Sequence, residues 1–285
     1  MICPKCFSTK ITHLGPEGDI GGQVWQTYRC EKCGEKLDDT QLLKKVSWFS
    51  AGVSSAVATK LSNPDEIIYV HIDDQHPDTM RFVMDCEKWF GKKITILQSP
   101  LKNVGMACRK SGVLSLRGMS PCTKWLKKQV RKEWESTQIQ RLTYVWGFDC
   151  GEKMRMDRIV ESDKEHQHEF PLKDITKAEA HQILETAGIK RPQMYELGYP
   201  NNNCIGCIRG GKGYWNKIKK DFPLVFKQRM GMEELFGHSI IKGCFLKDLK
   251  DNEGRCEKIE LDECGIMCQL YSPRPTTGAE GKEGA

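Results

Sequence analysis

The sequence predicts an α/β fold: a parallel sheet with helices on both faces, preceded by a small cysteine-rich ribbon. Three observations predict it. From about residue 44, short apolar runs of strand length alternate with stretches of helical periodicity, the order that builds a parallel sheet. A small-residue turn, Ser50-Ala51-Gly52-Val53-Ser54-Ser55, joins the first such run to the first helical stretch. Two C-x2-C pairs, Cys3/Cys6 and Cys30/Cys33, stand ahead of the alternation.

Taken in order, residues 1–40 carry the four cysteines, with strand-like Val24, Trp25 and Tyr28 between the pairs. Four thiolates spaced in this way suit a tetrahedral zinc ion that closes a fold too small for its own core. Protein would fill all four positions, so this zinc is structural; a rubredoxin-like iron site is the rival. Val46, Trp48 and Phe49 form a buried strand, and Ala56, Val57, Ala58 and Leu61 open a helix. Residues 67–72 read as the next strand. Residues 79–90 read as a helix, with Phe82, Cys86, Trp89 and Phe90 at i, i+4, i+7 and i+8. A short strand follows over 94–97. Residues 122–136 make a basic amphipathic helix with Trp125, Leu126, Val130 and Trp134 inward, and Lys124, Lys127, Lys128, Arg131 and Lys132 on a solvated face. A strand over 142–146 and a helix over 176–186 complete the alternation, the helix opened by a capping box of Thr176 with Glu179. Past residue 200 the alternation fades and cysteines reappear. Residues 271–285, rich in Pro and Gly without apolar periodicity, predict a disordered tail.

Composition bounds the function. In 285 residues, 39% are hydrophobic and 29% charged, as in a soluble globular protein. No apolar run reaches the ~18 residues of a membrane span, so no membrane partner is expected. The first residues lack a secretory pattern, and a cytoplasmic location is the default expectation. Fourteen cysteines then point to metal or redox chemistry rather than disulfides. A net charge of +6 favours anionic ligands, whether nucleotides, sulfate esters or nucleic acid.

Several motifs carry chemistry. In the turn, Gly52 lacks the Cβ that would hold an anion away, and Ser50, Ser54 and Ser55 add hydroxyls. With the helix N-terminus behind it, such a loop suits phosphate or sulfate, the alternative being an ordinary connection. Asp73-Asp74-Gln75-His76-Pro77-Asp78-Thr79 ends the second strand, where Asp73 and Asp74 are candidates for ribose or adenine contacts. His76, before Pro77, reads as a turn residue or a ligand contact. Pro121-Cys122-Thr123-Lys124 opens the basic helix. Gly147-Phe148-Asp149 leads to Glu152, Arg155 and Arg158. Gly198-Tyr199-Pro200 precedes Cys204-Ile205-Gly206-Cys207, and Glu263-Cys264-Gly265-Ile266 comes late, followed by Met267 and Cys268. Arg109, Lys110 and Arg117 lie in a Gly/Ser-rich stretch suited to closing over an anion or to solvent. Gly210-Gly211-Lys212-Gly213-Tyr214-Trp215 reads as a flexible basic segment, a nucleic-acid or substrate contact if not structural.

In this order, and over roughly residues 44–270, these motifs resemble the phosphoadenosine-phosphosulfate (PAPS) and adenosine-phosphosulfate (APS) reductase family of the PP-loop superfamily. The resemblance implies a Rossmann-like PP-loop domain behind the zinc ribbon. It implies that Ser50, Ala51, Gly52, Ser54, Ser55, Asp73, Asp74, Arg155 and Arg158 hold an adenine nucleotide or adenylyl sulfate. It implies Cys264 as the catalytic thiolate, which takes the sulfonyl group as S-sulfocysteine before a thioredoxin-like reductant releases sulfite. Basic neighbours favour such a thiolate. Iron–sulfur members bind one [4Fe-4S] cluster through adjacent cysteines and a later C-x2-C. Here the adjacent pair reads Pro121-Cys122, so Cys122, Cys204 and Cys207 match three of four ligands. Cys244, Cys256 or Cys268 completes the set, or the cluster keeps an open iron, as in some PP-loop sulfur-transfer enzymes; zinc and free thiols are the other readings. The chain departs from the family pattern at Met267, where a His is usual, and at Cys268, which has no counterpart. ATP-cleaving relatives carry Ser-Gly-Gly-x-Asp-Ser in the loop, where this chain has Ala51 and Ser54, a change that leans toward a reductase. The implied function is a sulfonucleotide reductase. The alternatives are an ATP- and iron–sulfur-dependent sulfurtransferase that thiolates a nucleic acid or nucleobase, and a non-catalytic nucleotide- or nucleic-acid-binding module.

Overall fold

A computed structural model describes residues 1–18, 24–38, 41–114, 120–251, 253–255, 259, 261, 263 and 264. The expected tail over 271–285, with Arg117, Cys256, Met267 and Cys268, lies outside the described residues.

Among the described residues, eight strands form two sheets. β1 (Ile11–Gly18), β2 (Val24–Cys30) and β3 (Lys36–Asp38) make an antiparallel sheet in that order. An antiparallel bridge between Ile2 and Leu43 and a 2.6 Å ion pair from the Met1 amine to Asp65 tie it to the larger sheet. That sheet contains β4 (Leu43–Phe49), β5 (Glu66–His71), β6 (Ile94–Gln98), β7 (Arg141–Val145) and β8 (Gln167–Glu169) in the order β6-β5-β4-β7-β8, every pair parallel. The mixed α/β architecture predicted from the alternation is the observed one. Strand order reverses at β4, so the crevice beyond the carboxyl ends of β4 and β7 is the switch point where such sheets bind ligands.

Side-chain alternation along the strands sorts the core into two faces. Phe49, Ile67 and Tyr69 pack with α1 (Val53–Ser62), α2 (Asp78–Phe90) and α6 (Lys177–Thr186). Val46, Trp48, Ile68 and Tyr144 pack on the opposite face with Met156 and Ile159 of α5 (Lys153–Ser162). The capping box opening α6 is present as expected, Thr176 and Glu179 bonding each other's backbone amides. The short α3 (Val104–Ser111) is capped by Asn103, whose side chain accepts from the Met106 amide. α7 (Gln193–Glu196) leads toward the cysteine knuckle of residues 204–207.

One expectation is corrected. The helix over 122–136 is not uniform: a π-helical turn, Thr123–Lys128, precedes α4 (Gln129–Glu135). The wider turn changes which side chains face inward, so Lys127 and Arg131 are buried instead of solvated. The segment over 210–215 follows the structural of its two readings and is helical rather than flexible. Lys212 begins α8 (Lys212–Asp221), which buries Tyr214 and Trp215 against α9 (Pro223–Phe236) in a third apolar cluster. Lys212 itself pairs with Glu253. Among the described residues, no helix is long and apolar enough to cross a membrane.

Candidate active site and metal centres

The loop after β4 is built to be tight. Ala51 holds φ at +58°, the left-handed region that a side chain enters at a cost. Gly52 is the N-cap residue of α1 and contributes no side-chain cap. Ser55 Oγ closes the loop, donating to the Gly52 carbonyl and accepting from the Ser50 amide at 3.2 Å. Ser54 is buried in the first turn of α1. Gly147, at the end of β7, presses on the same turn: a Cβ there would lie 2.6 Å from Ser55 Cα. Only glycine lets β7 end so close to the loop.

A carboxylate sits on this loop. The Ser50 hydroxyl donates to Glu263 Oε1 at 2.7 Å, and a Cβ on Gly52 would meet the same oxygen at 2.4 Å. Glu263 thus fills the space over Ser50 and Gly52.

Cys264 follows directly. Lys127 Nζ donates to its Sγ at 3.0 Å and to its carbonyl at 2.6 Å. Its amide donates to Asn203 Oδ1 at 2.9 Å. Asn203 ends a run of three buried amides that together seat loop and C-terminal segment. Asn202 donates to the Ala51 carbonyl at 2.8 Å, and Asn201 to the Leu261 carbonyl. Sequence reasoning missed these three asparagines and misassigned Lys127. The available signals were an uninterrupted polar run next to a cysteine knuckle and a lysine five residues after Cys122, the spacing of one π-turn.

Two cavities adjoin at Ser50 and Glu263. One is lined by Ser50, Gln75, Lys127, Asn202, Asn203, Cys204, Glu263 and Cys264. The other runs between the ends of β4 and β7 and is lined by Trp48, Ser50, Ser55, Trp146, Gly147, Phe148, Arg155 and Glu263. Arg155 pairs with Glu152 and stacks 4.4 Å from the Phe148 ring centroid. Burial raises the Glu152 carboxyl above the ordinary carboxylate range; Arg155 opposes this, while Glu263 and Asp149 add to it.

The remaining sequence candidates are placed differently. Asp74 is committed to structure, paired with the buried Arg229 and accepting from the Val104 amide at 2.7 Å. Asp73 is half-exposed and accepts from Gln98 at 2.7 Å. Arg158 lies on α5, half-buried and outside the lining of both cavities. His76 accepts from the Asp78 amide at 3.1 Å at the start of α2, the structural of its two readings.

The cysteines fall into two groups. Cys3, Cys6, Cys30 and Cys33 bring all four Sγ atoms within 4.8 Å of one another, with the Cys3–Cys33 and Cys6–Cys30 pairs at 3.7 and 3.4 Å. Zinc–sulfur bonds of about 2.3 Å imply a sulfur–sulfur edge of about 3.8 Å, so the four thiols fit one tetrahedral ion. In the core, Cys122, Cys204 and Cys207 are neighbours. Burial pushes all three thiols up, each feels Cys264, and Lys127 opposes the shift. Among the described residues, no three core thiols approach as closely as those of the ribbon. The knuckle is rigidly held: Tyr214 Oη accepts from the Cys207 amide at 2.9 Å and donates to the Cys204 carbonyl at 3.2 Å, while Arg229 Nε donates to the Gly206 carbonyl at 3.0 Å.

No protein-family model and no curated protein matches the sequence. Among solved structures, the chain is similar to a phosphoadenylyl-sulfate (PAPS) reductase from Candida auris in its phosphate complex, at 12% identity, covering 57% of this chain and 80% of that one, with a TM-score of 0.40. It is also similar to the U34-tRNA thiolase NcsA from Methanococcus maripaludis with its [4Fe-4S] cluster, at 15% identity, covering 75% and 78% of the two chains, with a TM-score of 0.35.

Proposed function

We propose that this protein is a sulfonucleotide reductase, an enzyme that releases sulfite from an adenylyl sulfate. The observation that carries the reading is Cys264 Sγ held 3.0 Å from Lys127 Nζ, one residue beyond a carboxylate lodged in the anion loop. An ammonium at that distance favours the thiolate, the nucleophilic form.

The nucleotide enters the Arg155 cavity, with Ser50, Gly52 and Ser55 at its phosphate. Its anionic end takes the place of Glu263, which opens the two cavities to each other. Cys264 thiolate attacks the sulfate sulfur. A sulfur–sulfur bond forms, the sulfur–oxygen bond to phosphate breaks, and the nucleotide leaves as its 5′-phosphate. A thiolate of a dithiol reductant of the thioredoxin type then attacks Cys264 Sγ, and sulfite departs with the bonding pair. The reductant's second thiol displaces Cys264 and is left as a disulfide. Lys127 stabilises the Cys264 thiolate before attack and after release.

In this reading Cys3, Cys6, Cys30 and Cys33 hold a structural zinc, and Cys122, Cys204 and Cys207 contribute to a [4Fe-4S] cluster. When bound, the cluster supplies a polarising charge behind the thiol. The protein acts in the cytoplasm.

A second reading, ATP-dependent thiolation of a nucleic acid or nucleobase, is favoured by one observation: only three core cysteines fit the family's ligand pattern, which would leave an iron open to sulfide. The test is sulfite release from adenylyl sulfate and its 3′-phosphorylated form, with anaerobically purified protein, thioredoxin and the Cys264→Ser variant. Sulfite that vanishes in the variant supports the reductase. No sulfite from either nucleotide, with the metal centre intact, moves the assignment to thiolation.

A further inference from the structure

We infer that His168, on β8, is a positioning residue: it holds the Trp146 indole as a fixed wall of the cavity between β4 and β7, and so sets how tightly the nucleoside half of the substrate binds. The inference rests on the reading above that a nucleotide occupies this cavity. His168 is not part of the cavity lining and acts through Trp146.

β8 has three residues and no apolar alternation, yet it delivers one specific bond. Trp146 Nε1 donates to His168 Nδ1 at 3.1 Å. An indole nitrogen only donates, so Nδ1 carries no hydrogen and the neutral imidazole holds its proton on Nε2. Nε2 then donates to the Asp163 carbonyl at 3.1 Å. Both ring nitrogens are committed, and with its side chain 4% exposed His168 makes these bonds away from solvent. Asp163 is held in turn, its Oδ1 lying 2.8 Å from His166 Nδ1. The backbone repeats the link: Val145 pairs with Glu169 in parallel register, and the Trp146 amide donates to the Glu169 carbonyl at 3.0 Å. Trp146 is therefore tied to β8 at its main chain and at the far edge of its ring.

That ring belongs to an aromatic stack. Trp146 and Phe148 lie 3° from parallel with centroids 5.9 Å apart, and Phe148 stacks on Phe170 at 6.2 Å and 21°. Trp146 and Phe148 line the cavity together with Trp48 and Arg155, while Ser50 and Ser55 supply its hydroxyls. With the anionic end of a nucleotide at those hydroxyls, the aromatic lining is left for sugar and base. Contacts with such a surface depend on ring geometry, and a wall already held in place spares the ordering cost of binding. Trp48 supplies the contrast within the same cavity: its buried indole Nε1 has no hydrogen-bond partner among the described residues. Of the two tryptophans, only Trp146 is tethered at its nitrogen, and the tether comes from a strand outside the cavity.

The test titrates the full-length chain with adenosine 5′-phosphosulfate and, separately, with inorganic sulfate. It compares wild type, Trp146→Phe, His168→Phe, His168→Asn and the Trp146→Phe/His168→Phe double variant. His168→Phe keeps a ring on β8 and removes the acceptor, whereas His168→Asn returns an amide oxygen near the place of Nδ1. Affinity for the phosphosulfate should fall roughly fivefold in His168→Phe, the scale of one lost hydrogen bond, and recover in part in His168→Asn. Affinity for inorganic sulfate should stay at the wild-type value throughout. In the Trp146→Phe background, His168→Phe should cost nothing further, because the indole N–H it acts through is gone. Additive losses, or an equal loss for sulfate, would overturn the inference. A second readout needs no nucleotide: the Trp146 indole N–H resonance, identified by its absence in Trp146→Phe, should exchange with solvent about tenfold faster in His168→Phe. Unchanged exchange also overturns the link. Should His168→Phe fail to fold, nitrogen NMR of the wild type decides, since a hydrogen on His168 Nδ1 is incompatible with the bond. Wild type that binds no phosphosulfate overturns the nucleotide cavity and this inference with it. Binding that follows the expected pattern without sulfite release overturns only the reductase chemistry.

Discussion

The Ser50 hydroxyl donates to Glu263 Oε1 at 2.7 Å, joining residues 213 positions apart and placing the chain's own carboxylate on the loop after β4, proposed above to hold an anion. An incoming phosphate or sulfate must displace that charge. Glu263→Gln keeps a hydrogen-bonding group and removes the charge, so binding of inorganic sulfate and of adenosine 5′-phosphosulfate should tighten. Isothermal titration should show a gain of roughly fivefold, about 1 kcal/mol, largest at low ionic strength, where repulsion is least screened. Equal affinity for the two proteins at every salt concentration would mean that the anion binds elsewhere.

Lys127 Nζ lies 3.0 Å from Cys264 Sγ. Removing that ammonium leaves the thiolate without its nearest compensating charge. Iodoacetamide labelling of Cys264, followed by mass spectrometry at pH 7.5, should slow about tenfold in Lys127→Met, with the rate profile displaced to higher pH. Lys127→Arg should recover part of the rate, since it restores the charge in a different shape. A rate in Lys127→Met equal to that of the wild type would show that the ammonium serves the backbone carbonyl of Cys264 and not its thiol.

The parallel sheet was legible because buried strands of four to seven residues, spaced by helices with 3.6-residue periodicity, leave a direct pattern in the sequence. Residues 67–72, 94–97 and 142–146 were found within a residue or two, and the capping box at Thr176 marked its helix start. β8 was not found. Three residues, Gln167, His168 and Glu169, carry no apolar alternation, and their strand exists only because β7 offers a parallel edge. α8 and α9 escaped for a different reason: glycines and lysines dilute their apolar face, and their core forms against distant residues such as Leu246 and Leu249.

In the site, the loop and the two C-x2-C pairs were visible as local spacing. What was invisible is long-range pairing. Asp74 has the sequence context of a ligand contact, yet Arg229, 155 positions away, claims it. The inward turn of Lys127 depends on a π-helical register that composition does not announce.

Gly147 is the most constrained backbone position in the site. A Cβ would stand 2.6 Å from Ser55 Cα and 2.7 Å from Ser55 N, contacts that no side-chain rotation relieves. Gly147→Ala must push the end of β7 away from α1. It should cost about 2 kcal/mol, the scale of overpacking in a close-packed core, and lower the urea midpoint. Anion binding should weaken in the folded variant, because Ser55 closes the loop that Ser50 opens. Gly151→Ala makes the comparison: its Cβ would meet only Asp149 Oδ1, at 3.2 Å. Equal midpoints for the two variants would refute the close-approach argument.

His181 packs edge-on against Tyr195, whose hydroxyl accepts from the Val53 amide in the anion loop. Burial, with Arg191 and Lys177 nearby, pushes the imidazole down to about 4. In the unfolded chain it titrates near the ordinary value of about 6.5. Between those values the unfolded state binds the extra proton, so stability contributed by neutral His181 is complete above about 6.5 and is lost as pH falls toward 4. Urea midpoints of wild type and His181→Gln should therefore converge as pH drops from 7 to 4.5. Parallel pH profiles would show that the ring is solvated enough to protonate in place.

The ribbon's dependence on metal follows from how little it buries. Its apolar cluster comprises Cys3, Cys30, Leu37 and Leu42 at full burial, with Ile11 and Tyr28 only partly covered. Two of the four fully buried members are themselves thiols of the four-cysteine cluster. Without an ion, the close-set thiols gain nothing from their approach, and so small a core does not hold three strands. Chelation should release one zinc per chain and abolish hydrogen-exchange protection in β2 while β4 and β7 keep theirs. Cys30→Ser should behave as the chelated wild type and fail to recover on adding zinc. Protection that survives in metal-free β2 would assign the ribbon's stability to its strand pairing and to the Ile2–Leu43 bridge, with the thiols as passengers.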